Sequence, residues 1–132
     1  MERSGKERRL KPRFNAELPC SVALTEAERD ILFPNERLNG RTRDLSESGV
    51  GLVADSIYLG YTCVVDEDRA LVVKLELPDR TVEMEATTAH YVRLDSGGQS
   101  TRYLVGLRII SMSDEHRALY NAYLEELNKS ET

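Results

Sequence analysis

Hydrophobic and polar residues alternate with a period of two along most of the chain, which is typical of half-buried β-strands. The clearest case is residues 70–77, where every second residue from Leu71 to Leu77 is apolar. The same pattern predicts five further strands, over residues 17–24, 38–45, 50–54, 81–94 and 101–110. Their predicted buried residues are Leu18, Cys20, Val22 and Leu24; Val82, Met84, Ala86, Val92 and Leu94; and Tyr103, Val105, Leu107 and Ile109. The polar segment 25–36 interrupts this order and is interpreted as an inserted loop with a helical turn around Ala27 to Leu32.

The period changes near the C-terminus, where the sequence predicts one amphipathic helix over residues 113–128. Ser113 is the candidate N-cap, and Asp114 and Glu115 lie in the first turn, where the helix dipole favours acidic side chains. The apolar stripe consists of Leu119, Tyr120, Tyr123, Leu124 and Leu127. Six antiparallel strands followed by one helix indicate a mainly β protein, a small barrel or sandwich with the helix packed on it. A partner-binding role for the stripe is the alternative.

Length and composition indicate one globular domain. The chain has 132 residues, of which 40% are hydrophobic and 31% charged, enough apolar residues for a core. No apolar run approaches the roughly 20 residues of a membrane helix, and the N-terminal residues lack the apolar region of a secretory signal. Two cysteines are too few for a disulfide framework. We therefore expect a cytoplasmic protein without membrane insertion.

The charge is unevenly distributed along the chain. Residues 1–13 contain six basic and two acidic residues, whereas the rest contains 12 basic and 21 acidic residues. We therefore divide the chain into a flexible basic arm, residues 1–14, and a barrel domain with its helix, residues 15–132. A basic arm on an acidic body suggests a local anion-binding site rather than a general nucleic-acid surface. A solvated terminal tail is the alternative.

The motifs expected of an enzyme are missing from the sequence. His90 and His116 are the two histidines, and neither lies at metal-ligand spacing from Cys20 or Cys63. Two separate thiols are the simpler interpretation, and a site assembled in space from both residue types is the alternative. The chain also lacks a nucleophile elbow, a P-loop and a dinucleotide-binding glycine motif. We expect no catalysis, no metal and no cofactor.

The stretch "RRLKPR", residues 8–13, is the first candidate binding element. Arg9 and Arg13 are separated by three residues, Arg8 is adjacent, and Pro12 stiffens the approach to Arg13. Guanidinium groups form paired hydrogen bonds with phosphate oxygens and with the O6/N7 edge of guanine, and they stack on purines. A segment with several arginines is suited to closing over a nucleotide.

The stretch "RDLSESGVGL", residues 43–52, is the second candidate. A period of two places Thr42, Asp44 and Ser46 on one face of a strand and Leu45 on the other. With Leu45 pointing into the barrel, Asp44 and Ser46 point outward. There a carboxylate can accept hydrogen bonds from the N1–H and N2–H2 groups of guanine, with a hydroxyl beside it. Gly49 would permit a positive φ at the turn.

A purely structural role for this stretch is the alternative, because Asp and Ser commonly bond to the local backbone in turns. The strand also poses a difficulty of phase. Arg41 and Arg43 share the parity of Leu45, so the strand either becomes buried only near Leu45 or contains a β-bulge.

Taken together, the two stretches resemble the paired signature of PilZ domains, bacterial receptors for the second messenger cyclic di-GMP. Arg9 and Arg13 match the family's RxxxR pattern, and Asp44, Ser46 and Gly49 match its [DN]xSxxG pattern. In addition, "YLVGLRI", residues 103–109, is similar to a late strand of the family. The resemblance extends from about Arg8 to Leu127.

This resemblance implies a six-stranded antiparallel β-barrel with a C-terminal helix and with cyclic di-GMP bound on the outer surface. Arg9 and Arg13 would then bind phosphates and guanine edges, with Arg8 as an additional contact. Asp44 and Ser46 would contact a base, and Gly49 would form the turn. The protein would be a receptor that changes its arm conformation on binding and signals through a separate protein partner.

Two alternatives to a cyclic di-GMP receptor remain. The first is a PilZ-fold adaptor that binds proteins but no nucleotide. The second is a small barrel that binds RNA or single-stranded DNA through its basic arm. Such sites usually combine basic residues with exposed aromatic rings. Here Phe14 alone adjoins the arm and the body is acidic, so we expect no DNA or RNA partner.

Overall fold

The computed structural model describes residues 12–29, 32, 35–66, 68–95 and 101–130. Its strands are β1 (Arg13–Asn15), β2 (Pro19–Leu24), β3 (Leu38–Ser46), β4 (Gly49–Ala54), β5 (Tyr58–Leu59), β6 (Thr62–Cys63), β7 (Leu71–Glu76), β8 (Thr81–Asp95) and β9 (Thr101–Met112). One α-helix, α1 (Asp114–Ser130), follows the last strand. Arg13 and Phe14, the last two residues of the predicted arm, lie in β1. Residues 1–11, which contain Arg8 and Arg9, are outside the described residues.

Six antiparallel strands close into a barrel, as the resemblance implied. The strand order is β3-β2-β7-β8-β9-β4, and pairing between β3 and β4 closes the sheet. The short strand β1 continues the line of β2 along the same edge of β3: Arg13 pairs with Ser46, and Pro19 pairs with Arg41. Strands β5 and β6 form a separate two-stranded hairpin.

The predicted alternation is confirmed where strands stay in phase inside the barrel. Leu71, Val73, Leu75 and Leu77 are all buried, as are Val82, Met84 and Ala86. The prediction is wrong at Val92, which is half exposed. Strand β8 contains two irregularities in its pairing with β9, between Glu85 and Ala86 and between Thr88 and His90. The first leaves Ile110 of β9 as the extra residue, and the second leaves Ala89 of β8 as the extra residue. The second therefore shifts the phase of β8 before Val92, which sequence periodicity does not register.

Helix α1 packs against the barrel through the predicted stripe. The Ser113 hydroxyl accepts a hydrogen bond from the His116 backbone N–H at 3.1 Å, so Ser113 is the N-cap. Tyr120 is fully buried, and its hydroxyl donates to the carbonyl oxygens of Ser46 at 2.7 Å and Gly49 at 3.3 Å. The helix thereby fixes both ends of the turn between β3 and β4. No helix in the described part of the chain is long and apolar enough to span a membrane.

The segment between β2 and β3 is held to the barrel by an arginine. A 3₁₀ helix, Glu26–Glu28, replaces the start of the predicted helical turn. Arg69 donates from Nη1 to Glu28 at 2.6 Å and from Nη2 to Asp66 at 3.3 Å. The Arg69 side chain is only 20% exposed, so it ties the inserted segment to the loop before β7.

Candidate functional site

The pairing of β1 with β3 brings the two sequence candidates together. Arg13 pairs with Ser46, Phe14 with Leu45, and Asn15 with Asp44. Phe14 and Leu45 are both buried, so the residues on either side of them point away from the core. The single apolar residue of β1 thus anchors the strand and directs Arg13 toward the outer face of β3.

Arg13 and Asp44 form an ion pair on this outer face. Arg13 Nη1 lies 3.4 Å from Asp44 Oδ1. The Arg13 side chain is 60% exposed, whereas that of Asp44 is 22% exposed. An exposed positive group therefore stands beside a carboxylate held close to the sheet, an arrangement suited to a ligand with both phosphates and hydrogen-bond donors.

A β-bulge sets the direction of Asp44. The pairing of β3 with β4 shifts between Thr42 and Asp44, which leaves Arg43 as an extra residue. The structure therefore contains a β-bulge, one of the two explanations for the shared parity of Arg41, Arg43 and Leu45. The prediction that Thr42 shares a face with Asp44 is wrong: Thr42 is buried, and its hydroxyl accepts from the Leu18 N–H at 2.9 Å. Leu45 is fully buried, as predicted.

The Asp44 carboxylate occupies the space above a glycine of the neighbouring strand. Asp44 pairs with Gly51, and a Cβ at Gly51 would lie 2.6 Å from Asp44 Oδ1. Any side chain at this position would therefore displace the carboxylate. Gly51 thus contributes to the candidate site because it has no side chain.

Gly49 has a different role from the one predicted. Its φ is not positive, since Gly60 alone among the described glycines has a φ in that range. A Cβ at Gly49 would instead lie 2.8 Å from the carbonyl oxygen of Leu107, a backbone atom with little freedom to move. Gly49 therefore permits the close approach of β9 to the start of β4.

The turn between β3 and β4 is held to the helix by hydrogen bonds. Ser46 is buried, which corrects the expectation that it shares an open outward face with Asp44: its hydroxyl is turned to the Gly49 carbonyl oxygen, 3.5 Å away. Arg117 Nη1 donates to the Glu47 carbonyl at 2.9 Å, in addition to the bonds from Tyr120. Ser46 thus takes part in the turn while lying next to Arg13.

Arg108 is a candidate that the sequence prediction missed. It pairs with Gly49 across β4 and β9, and it is exposed. Because it alternates with the buried Leu107, it lies on the same outer face as Arg13 and Ser46. The signal was available in "YLVGLRI", where Arg108 is the charged residue at an outward position of an apolar strand.

A groove of about 650 Å³ lies beside this cluster, along β3 and β4. Its lining includes Asn15, Arg41, Arg43 and Arg102. Neither Asp44 nor Ser46 lines it, so the groove adjoins the cluster and does not contain it. Within the described ranges, no group of three or more His, Cys, Asp or Glu side chains is arranged to hold a metal ion.

Comparison with known proteins identifies the family. The family model described as "PilZ domain" matches residues 7–126. The chain therefore belongs to the PilZ domain family. Comparison with curated protein sequences gave no significant match.

Solved structures share the fold at low sequence identity. The PilZ domain of YcgR from Escherichia coli, solved with c-di-GMP, is 16% identical, with a TM-score of 0.67 and 93% of each chain covered. The Bacillus subtilis inhibitor of motility MotI is 19% identical, with a TM-score of 0.60 over 92% of this chain and 52% of its own. PlzA from Borreliella burgdorferi, solved in complex with c-di-GMP, is 10% identical, with a TM-score of 0.61 over 97% and 55%. This chain thus spans about half the length of MotI and PlzA.

Proposed function

We propose that this chain is a cyclic di-GMP receptor rather than an enzyme. The observation that carries the proposal is the convergence of Arg13 and Asp44 on the outer face of the barrel, beside the turn that contains Ser46. Their chemistry suits the ligand, because a guanidinium binds phosphates and a carboxylate accepts the donors of a guanine edge. Membership of the PilZ family supports it, as do fold neighbours that were solved with this ligand.

The N-terminal arginines complete the proposed site. Arg9 lies four residues before Arg13, and Arg8 is adjacent, both outside the described residues. In our proposal they bind the ligand from the side opposite Asp44. Ligand binding then repositions the arm and changes the surface offered to a separate protein partner in the cytoplasm.

Isothermal titration with cyclic di-GMP tests this proposal. The wild type is expected to bind, with an affinity that falls as salt is raised, because phosphate contacts contribute. The Arg9→Ala/Arg13→Ala variant is expected to lose most of the binding while keeping its unfolding temperature. A wild type that gives no heat and no thermal stabilisation with excess ligand would favour the adaptor. Equal binding by wild type and double variant would show that the ligand lies elsewhere.

A further inference from the structure

His90 lies at the end of a row of residues that crosses four strands on the outer face. Asp44 pairs with Gly51, Gly51 with Gly106, and Gly106 with His90. The two central residues of the row, Gly51 and Gly106, have no side chains. Each is covered by the side chain of the outer residue paired with it. The Asp44 carboxylate extends over Gly51 from one side, and the His90 imidazole extends over Gly106 from the other.

The His90 ring lies with its face against Gly106. A Cβ atom added at Gly106 would lie 2.7 Å from His90 Nε2 and 2.8 Å from His90 Nδ1, and closer still to Cε1. Three ring atoms of His90 thus lie at similar distances from the Cβ position of Gly106. This is expected when the glycine lies under the face of the ring, and not when it lies at the edge. His90 is exposed, so the opposite face of the ring is open to solvent.

A flat ring fixed on the backbone, with one face open, is a stacking surface for a nucleobase. Histidine is among the side chains on which bases stack, and such stacking tolerates different bases. Selectivity would come from a group at the edge of the base. Asp44 lies above the adjacent glycine of the same row, and its carboxylate accepts the donors that distinguish guanine.

We propose that His90 is a further ligand-binding residue, on which one guanine base of the cyclic dinucleotide stacks with its donor edge toward Asp44. This inference rests on the proposed function and adds to it a residue outside the two sequence motifs. Gly106 is a positioning residue in this arrangement, because a side chain there would push the imidazole off the strand.

Calorimetric titration of four variants at His90 and Gly106 with cyclic di-GMP tests the inference. His90→Ala is expected to weaken binding by about five- to 150-fold, the range found when a stacking aromatic ring is truncated. His90→Phe keeps a flat ring and is expected to stay within about threefold of the wild type, by the same stacking argument. Gly106→Ala is expected to weaken binding, with little further loss in the double variant with His90→Ala, because both changes remove the same contact.

The two histidines of the chain provide a matched control. His116 lies on the helix, where its Nδ1 accepts from the Glu83 N–H at 3.0 Å. On addition of cyclic di-GMP, the imidazole NMR signal of His90 is expected to shift and that of His116 to stay in place. His116→Ala is expected to bind like the wild type.

Each other outcome counts against a specific statement. A wild type that does not bind overturns both the proposed function and this inference. Binding by the wild type with an unchanged affinity of His90→Ala overturns the inference alone. Equal losses in His90→Ala and His90→Phe overturn stacking, since a flat ring would then not be sufficient.

Discussion

Arg13 and Asp44 are 31 residues apart in the sequence, yet their charged groups lie 3.4 Å apart on the outer face of the barrel. The contact depends on two structural details, the pairing of β1 with β3 and the bulge at Arg43. An ion pair with one strongly exposed partner contributes at most about 1 kcal/mol to stability. The pair therefore contributes little to folding, and the role that we propose for it is in ligand binding.

Asp44→Ala is accordingly expected to reduce affinity for cyclic di-GMP with little effect on stability. Loss of a charge-assisted hydrogen bond costs about 1.5–3 kcal/mol, which is roughly a 10- to 150-fold rise in Kd. Titration calorimetry measures this change, and urea unfolding checks stability. Asp79→Ala is a matched control, because Asp79 also pairs with an exposed arginine, Arg80, at 3.8 Å. Equal affinities for the two variants would contradict the assignment of Asp44.

Alanine at Gly51 and at Gly49 is expected to have different effects. At Gly51 the new methyl group meets the Asp44 carboxylate, which can swing away, so affinity for cyclic di-GMP falls and stability is nearly kept. At Gly49 it meets the Leu107 carbonyl, so the strands must shift and stability falls by about 1–3 kcal/mol. Urea unfolding and ligand titration on both variants separate the effects. A Gly51→Ala variant that binds like the wild type would show that the position of the carboxylate is unimportant.

The sequence was sufficient to predict the elements that depend on local pattern. The alternation from Leu71 to Leu77 is buried as expected, and the stripe of α1 packs on the core with Tyr120 and Leu124 buried and its other members partly buried, because burial of one face defines each element. Strand β1 could not be predicted in this way. It is three residues long with one apolar side chain, Phe14, and it exists because β3 offers an edge to pair with.

The candidate site was predictable in composition but not in geometry. Asp44 and Ser46 were identified by motif, whereas the inward direction of Thr42 follows from a bulge that periodicity does not encode. Gly49 was expected to adopt a positive φ at the turn. The structure instead requires a glycine there because β4 and β9 approach closely at this position. Arg108 reaches the same face only because β9 pairs with β4 and the pairing of β4 with β3 closes the barrel.

Tyr120→Phe is expected to destabilise the protein by about 1–3 kcal/mol, since it removes hydrogen bonds from a fully buried hydroxyl. Burial is the largest influence on the pKa of Tyr120 and raises it, against the lowering effects of Arg117 and of the hydrogen bond to Ser46. The hydroxyl therefore stays protonated and remains a donor. Urea unfolding measures the loss. Tyr123→Phe, one turn further along the same helix and only partly buried, is the control and is expected to change stability by less than about 0.5 kcal/mol. Similar losses for both would contradict the role assigned to the Tyr120 hydroxyl.

Arg69→Met is expected to release the segment between β2 and β3 without affecting ligand binding. It removes the contacts to Glu28 and Asp66 and leaves an apolar side chain of similar length. Limited trypsin digestion, followed by mass spectrometry, should show faster cleavage after Arg29. Arg80→Met, which removes an exposed ion pair on the turn between β7 and β8, is the control. An unchanged cleavage rate would mean that other contacts hold the segment.

Stability is expected to fall as the pH rises above about 9, chiefly because of Cys20. Burial raises the pKa of this thiol from 9.0 to about 12, with a smaller opposing influence from Arg37. Between these values the unfolded chain has lost the thiol proton while the folded chain keeps it, so the unfolded state binds fewer protons and gains in relative stability as the pH rises. One such group accounts for a slope of at most about 1.4 kcal/mol per pH unit.

Urea unfolding at pH 7.5, 9 and 10.5 measures the slope, and Cys20→Ala should be less stable at pH 7.5 but lose less between pH 9 and 10.5. The raised pKa of Tyr120 acts in the same direction at higher pH, so the Cys20→Ala slope should be reduced and not abolished. Equal slopes for wild type and Cys20→Ala would show that the thiol does not determine the alkaline loss.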